Sequence, residues 1–459
     1  MMRKFLTSLL PLLLVPLSLA LLSMVPPSIA QAQVQLPSVR LPSLQGGGGL
    51  LGTGLLNGDR TLSNLTGDLD PKRLEDLRRL RILDLIRSHP KEIEADPNGA
   101  PILRGEVVVF APSEELLGKA RAAGFAVLRE RTLEGLDARL VILKVPDHTT
   151  TRRALERLKA LDSQGVYDFN HVYLDSGEVG GTAVGGRVTQ GTSEVAERST
   201  AGAVAKVGLV DGGVDVTHPV FHDIVIHQHG CSGKQVPGAH GTAVASLMIG
   251  RSASFHGAAP GSELYAADVY CGLPTGGAVD AVADALAWLV REHVAVINVS
   301  LVGPPNAMLE NVVRMVVAHG HIVVAAVGND GAAAPPLYPA SYPDVVGVTG
   351  VDSHQRALLE ACRGRQVKFA APGADIFAAN PSQSYVKVRG TSFAAPIVAG
   401  LLAEALHEPD PAAAQRAVSD LAAHAKDLGP PGPDSVYGFG LVGGDPWPEL
   451  AQRNTPPRP

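Results

Sequence analysis

Residues 205–213 read AKVGLVDGG and combine a short apolar run with a carboxylate and two glycines. The run does not alternate with polar residues, which is typical of a strand that is buried on both faces. Similar runs follow at 263–270, 295–300 and 322–327. Helical patterns lie between them, at 242–249, 279–292 and 307–319. This alternation predicts an α/β domain with a doubly wound, mostly parallel sheet over residues 204–442.

The composition supports several folded domains and excludes one broad class of function. Of 459 residues, 45% are hydrophobic and 18% are charged, which is enough apolar surface for sizeable cores. The 39 basic and 45 acidic residues give a net charge of −6. Because no part of the chain is strongly basic, we expect no binding of nucleic acid through its phosphates.

The first 32 residues are typical of a secretion signal. Arg3 and Lys4 precede a long apolar stretch, and Ala30-Gln31-Ala32 offers a small-residue cleavage site. We therefore expect a secreted or periplasmic protein that has no membrane contact once the signal is removed. The alternative is that the apolar stretch stays uncleaved as a membrane anchor, since it is nearly long enough to span a bilayer.

Between the signal and the α/β domain, four segments differ in composition. Residues 33–69 are rich in Gly, Leu and Pro and predict a flexible spacer, and 70–103 form a region whose residues 71–88 predict a helix. Residues 104–175 predict the order βαββαβ, an α+β ferredoxin-like unit. A Gly/Ser/Thr-rich, exposed linker is predicted over 176–203, and residues 443–459 form a short Pro-rich tail.

Four polar residues of the α/β domain lie where an element begins or ends. Asp211 and Asn329 follow apolar strands, whereas His240 and Ser392 precede helical patterns. Each is an ordinary turn or capping residue when taken alone. Together they supply a hydroxyl nucleophile, a base to take its proton, a carboxylate to orient that base and an amide to bind an oxyanion.

The motifs around these residues resemble those of the subtilisin-like serine proteases. VGLVDGGVDVTHP, HGTAVASLMIG, VINVSLVGP, VVAAVGNDG, YPASYP and RGTSFAAPIVAG follow one another in that family's order. The resemblance implies a serine endopeptidase with Asp211 as orienting acid, His240 as base, Ser392 as nucleophile and Asn329 as oxyanion donor. It also implies that the unit at 104–175 is a propeptide that inhibits the protease until the zymogen cleaves itself.

The same resemblance implies a substrate groove and suggests its selectivity. Gly212 replaces a hydroxyl residue that is usual in the family, and Val302 and Leu337 replace smaller residues. We therefore expect a shallow apolar pocket and a preference for small or medium uncharged side chains before the cut. The implied substrate-binding residues are Ser300, Leu301, Val302, Gly303, Ala326, Gly328 and Leu337.

The resemblance bears on metal ions and on the three cysteines as well. We expect no cofactor for the chemistry, and residues 250–257 lack the oxygen ligands of a calcium loop that many relatives have. Calcium elsewhere stays open. An exported protein permits a disulfide, and the implied position of Cys231 and Cys271 near the groove favours their pairing over one with Cys362.

Other classes of function compete with this interpretation. A catalytically inactive subtilisin-like module that binds partners is the main alternative. A metal hydrolase would need the histidines at 218, 222, 227 and 229 to converge, and no H-E-x-x-H motif supports this. The absence of a G-x-S-x-G sequence at Ser392 argues against a lipase-type hydrolase. We expect a monomer whose partners are protein or peptide substrates and its own propeptide.

Overall fold

The structure of the protein is a computed structural model, and it describes residues 71–179, 188–189, 204–253, 255–273, 275–444 and 449–450. The predicted signal peptide and spacer lie outside these residues. None of the described helices is both long enough and apolar enough to cross a membrane. The described α-helices are α1 (Pro71–Ser88), α2 (Glu114–Ala122), α3 (Thr151–Leu161), α4 (Ala239–Ile249), α5 (Val279–Arg291), α6 (Ala307–Ala318), α7 (Thr391–Ala405) and α8 (Pro411–His424).

The strands form two main sheets and several short pairs. The first part of the chain contains β1 (Ile93–Ala95), β2 (Pro101–Phe110), β3 (Ala126–Leu133), β4 (Ala138–Lys144), β5 (Val166–His171), β6 (Leu174–Asp175), β7 (Glu178–Val179) and β8 (Val188–Thr189). The second part contains β9 (Lys206–Asp211), β10 (Ile226–Gly230), β11 (Arg251–Ser252), β12 (Phe255–His256), β13 (Glu263–Asp268), β14 (Val296–Val299), β15 (Leu301–Val302), β16 (Ile322–Ala326), β17 (Val346–Val351), β18 (Val367–Pro372), β19 (Ala374–Asn380), β20 (Ser384–Arg389) and β21 (Glu449–Leu450).

The larger sheet has seven parallel strands in the order β10-β13-β9-β14-β16-β17-β18. Every residue of β14, β16 and β17 is buried, because helices cover both faces: α4 and α7 on one face, α5 and α6 on the other. The predicted α/β fold with a parallel sheet is therefore confirmed. The strand order reverses beside β9, so the carboxyl end of this strand opens into the crevice where such sheets bind ligands.

A smaller antiparallel sheet precedes the larger one, with the order β5-β2-β4-β3 and β1 added along β2. Together with α2 and α3 it has the predicted βαββαβ sequence of elements. Ser113 and Thr150 cap the two helices by accepting hydrogen bonds from the backbone N–H groups of Leu116 and Arg153. One face of the sheet packs on α2 and α3, and the other packs on α5 and α6 of the larger domain.

The structure differs from the sequence prediction at residues 172–179. We expected the last strand of the small unit to run into an exposed linker from residue 176. Instead, β6 pairs with β15 and β7 pairs with β20 of the larger domain, and Ser176 is buried. The small polar residues of this stretch gave no sign of burial, because their pairing depends on strands more than 120 residues away. Residues 180–187 and 190–203 of the predicted linker lie outside the described part of the chain.

Candidate active site

Asp211 and His240 form a hydrogen-bonded pair at the carboxyl edge of the large sheet. Asp211 ends β9, and His240 is the second residue of α4. The His240 Nδ1 atom lies 2.9 and 3.0 Å from the two carboxylate oxygens, and the carboxylate is only 1% exposed. The Gly212 backbone N–H also donates to Asp211 at 2.6 Å. The imidazole is therefore held with its Nδ1–H on the carboxylate and its Nε2 directed away from it.

The surroundings of His240 set its readiness to accept a proton. Burial lowers the pKa of the imidazole, but the charge and the hydrogen bond of Asp211 outweigh burial and raise the pKa above its ordinary value. The Nε2 atom is buried and has no hydrogen-bond partner among the described residues. An imidazole with one nitrogen paired to a carboxylate and the other unpaired has the arrangement of a general base.

Ser392 lies at the start of α7 and is completely buried in this structure. Its Oγ atom hydrogen-bonds to the Ser176 hydroxyl at 2.5 Å and donates to the Ser300 carbonyl at 3.3 Å. The hydrogen bond from Ser392 to His240 is not formed here. Since both side chains lie against residues 176–177, it is this stretch that engages the hydroxyl in place of the imidazole.

Asn329 follows β16 and lies beside the start of α7. Its Oδ1 atom accepts a hydrogen bond from the Thr391 backbone N–H at 3.1 Å, which directs the Nδ2 donor away from that helix. Gly390 has φ +138°, and a Cβ there would come within 2.8 Å of Asn329 Nδ2 and 3.1 Å of the Ser176 carbonyl oxygen. The glycine therefore leaves room for a carbonyl group beside the amide donor.

A groove segment, defined here as residues 172–177, occupies the surface between two strands of the large domain. Leu174 and Asp175 pair antiparallel with β15, and the Tyr173 N–H donates to the Gly277 carbonyl at 2.8 Å. The Tyr173 ring is fully buried, and its hydroxyl donates to the Pro304 carbonyl at 2.7 Å. This addition of a strand between two others is a common way for a protein to hold an extended peptide.

The end of the groove segment meets the three polar side chains. Gly177 lies so close to His240 that a Cβ there would be 3.1 Å from Nε2 and 2.6 Å from the Phe393 ring. The Ser176 carbonyl lies near Asn329, as described above. The peptide bond between Ser176 and Gly177 is therefore flanked by the hydroxyl, the imidazole and the amide.

The predicted substrate-binding residues all lie around this segment. Ser300 donates through Oγ to the Ser392 carbonyl at 3.0 Å, and Gly303 exchanges two backbone hydrogen bonds with Tyr338. Leu337 packs against Gly328, where a Cβ would lie 2.4 Å from its Cδ1 atom. The remaining members, Leu301, Val302 and Ala326, are buried in β15 and at the end of β16.

The histidines of the metal-hydrolase alternative do not converge. His218 is buried and bonds to backbone atoms of Ser384 and Val220, whereas His222 is exposed beside Asp223. The rings of His227 and His229 stack separately on Tyr265 and Trp288. In the described part of the chain, a cluster of three potential metal ligands occurs at Cys231, Asp268 and Cys271, where the two cysteines are joined as the predicted disulfide.

Several residues of the site could not be found from sequence motifs. Ser176 and Gly177 were assigned to a linker, and α1 was predicted as a helix without a partner. In the structure Arg78 and Arg81 of α1 reach the groove, where they pair with Asp330 and Asp175. The weak signal for these contacts was the row of arginines in a helix whose apolar stripe is poorly ordered.

A parallel α/β sheet with an acid–imidazole pair and a buried serine at its carboxyl edge defines the class of serine peptidases. The family model of the subtilases (Peptidase S8) matches residues 202–440, more than half of the chain, and the chain belongs to this family.

Individual relatives agree with that assignment. Subtilisin DY of Bacillus licheniformis is 32% identical over 250 residues, covering 52% of this chain and 89% of that protein. Subtilisin Savinase of Lederbergia lenta is 33% identical over 257 residues, covering 53% and 91%. The crystal structure of fervidolysin from Fervidobacterium pennivorans, a keratinolytic enzyme related to subtilisin, matches with a TM-score of 0.62 at 22% identity, over 75% of this chain and 60% of that one. This last likeness concerns the fold.

Proposed function

We propose that this serine endopeptidase acts through Asp211, His240 and Ser392 and is made as a zymogen that cleaves its own Ser176–Gly177 bond. The observation that carries the proposal is the position of this bond against all three groups. The rest of the groove segment is paired with the strands on either side, as a substrate would be.

The chemistry follows from the described contacts. Once the Ser176 side chain turns away, the Ser392 hydroxyl passes its proton to His240 Nε2 and attacks the carbonyl carbon of the bound residue. The Asn329 amide and the backbone N–H at the start of α7 stabilise the resulting oxyanion. His240 then gives the proton to the leaving amine, which in the zymogen is the nitrogen of Gly177, and water releases the acyl group.

The small unit acts as the inhibitor in this proposal. It packs on α5 and α6, and its end keeps the groove filled after the cut. We further propose that residues 1–32 direct export, so that activation happens outside the cytoplasm, and that the mature enzyme is a monomer acting on proteins and peptides.

Labelling with a fluorophosphonate tests the assignment of the nucleophile. We expect wild-type protein to be labelled at Ser392 and a Ser392→Ala variant to remain unlabelled, full-length and unable to degrade casein. A wild-type chain that is folded, cleaved by an added protease at the groove segment and still unlabelled would favour the inactive binding module.

A further inference from the structure

Helix α1 reaches the substrate groove with two arginines one turn apart. Arg78 Nε lies 3.1 Å from Asp330 Oδ2, and its Nη2 donates to the Val302 carbonyl at 3.4 Å. Arg81 pairs with Asp175 of the groove segment. The Arg78–Asp330 pair is largely shielded, with side chains 16% and 11% exposed. Such a pair is less screened by water than ordinary surface pairs are.

The position of the Arg78 guanidinium relates it to one part of the substrate. Asp330 directly follows Asn329, the oxyanion donor, and Val302 belongs to the strand that pairs with Leu174. Burial raises the pKa of the Cys362 thiol to about 12, and the charges of Asp330 and Arg78 both act on it, which places them beside this wall of the pocket. The guanidinium therefore lies at the rim of the pocket beside the residue that precedes the cut.

The groove segment itself does not supply a positive charge to this site. Its residues 172–177 read VYLDSG and contain no lysine or arginine, and the serine before the cut is short. The two groups that hold Arg78 are a carboxylate and a carbonyl oxygen, both of which only accept hydrogen bonds. They exclude anions and match a planar cation with several N–H donors.

We propose that Asp330 and the Val302 carbonyl form a guanidinium-binding subsite that selects substrates with arginine directly before the cleaved bond, and that Arg78 occupies it in the zymogen. The inference rests on the proposed function of this groove. Leu337 keeps the pocket shallow, so the arginine stem lies along the apolar rim with its charged end on Asp330. The subsite adds a charge to a pocket for which size alone predicted uncharged side chains.

The test compares two peptides that differ in charge and little in shape. Quenched fluorescent peptides containing Tyr-Leu-Asp-Xaa-Gly carry arginine or neutral citrulline at Xaa, and the self-processed enzyme is standardised by fluorophosphonate titration. We expect kcat/KM to favour arginine by roughly tenfold to hundredfold, the effect of one charge-assisted contact. In Asp330→Asn that ratio falls towards one. Equal rates in the wild type, or an undiminished ratio in Asp330→Asn, would overturn the proposal.

A second measurement needs no variant of Asp330. Benzamidine carries a planar cation similar to guanidinium, and neutral benzamide is its matched control. We expect benzamidine to compete with the citrulline peptide and benzamide not to compete. The same weak effect of both compounds would contradict a cation site. If neither peptide is cleaved and no label is incorporated, the proposed function itself fails and the subsite fails with it.

The role of Arg78 has its own control on the neighbouring position. Arg79 is exposed on α1, whereas Arg78 points into the groove. We expect Arg78→Gln to shorten the lag before activity appears by several-fold and Arg79→Gln to leave it unchanged. Equal lags for the two variants would rule out Arg78 as the occupant of the subsite.

Discussion

The large and small sheets of this protein complete their hydrophobic cores differently. Helices of its own domain cover both faces of the large sheet. In the small sheet, Val107 and Val109 pack against α2 and α3, whereas Val108 between them packs with side chains of the large domain. The small unit therefore relies on the large domain for one of its two buried faces.

This difference separates chemistry from control. Asp211, His240, Asn329 and Ser392 all belong to the large domain, whose core does not need the small unit's helices. The small unit contributes the groove segment, which engages the Ser392 hydroxyl, and the arginines of α1. The large domain should then act alone, while the small unit should lose stability when the two separate.

Removal of the Asp211 charge should give the largest effect and tests whether the chemistry belongs to the large domain alone. Asp211→Asn leaves the imidazole without the carboxylate that holds its tautomer, so we expect kcat to fall by about 10⁴-fold. Self-cleavage should become undetectable on the same timescale. The exposed residue Asp223 provides a matched control, Asp223→Asn, which should process normally. Processing by Asp211→Asn at the wild-type rate would contradict the assignment.

Loss of the Asn329 amide should have the next largest effect. Asn329→Ala removes a donor that acts on the oxyanion, so we expect kcat to fall by about 10²- to 10³-fold. KM should change little, because the contact strengthens in the transition state rather than in the bound substrate. Steady-state kinetics with one peptide separates the two parameters. A rise in KM with unchanged kcat would mean that Asn329 binds the substrate instead.

Two leucines of β4 sharpen the comparison of the two faces. Leu140 packs with the large domain and Leu143 with the helices of the small unit, and both are at most 2% exposed. Each change to alanine should cost about 2–5 kcal/mol. In the uncleaved Ser392→Ala chain, Leu143→Ala should raise hydrogen exchange in α2 and α3. Leu140→Ala should raise it also in the groove segment and along α5. Identical exchange patterns would refute the division into two faces.

The pH dependence of activity should show the smallest effect. His240 must be neutral to accept the Ser392 proton, so activity falls as the pH drops through its pKa. Since Asp211 raises that pKa despite burial, the acidic limb of kcat/KM should have its midpoint above the ordinary histidine value of 6.5. A pH profile of the mature enzyme checks this, and a midpoint below 6.5 would show that burial dominates.

The sequence was sufficient for the parts of the site that depend on local pattern. Asp211 ends an apolar strand and Ser392 begins a helix, so parallel topology alone brings them to one edge. The contact of Ser176 with Ser392 spans 216 residues and could not be predicted from local chemistry. The run EVVVF at 106–110 did carry an unread signal, because consecutive valines in an antiparallel strand indicate two buried faces.

The N-terminal sequence of the self-processed chain tests the central claim most directly. We predict that purified wild-type protein yields a new N-terminus at Gly177, and that Ser392→Ala protein under the same conditions yields none. A mature chain that begins far from residue 177, or the same cut in the Ser392→Ala variant, would contradict self-cleavage of the bond held in the groove.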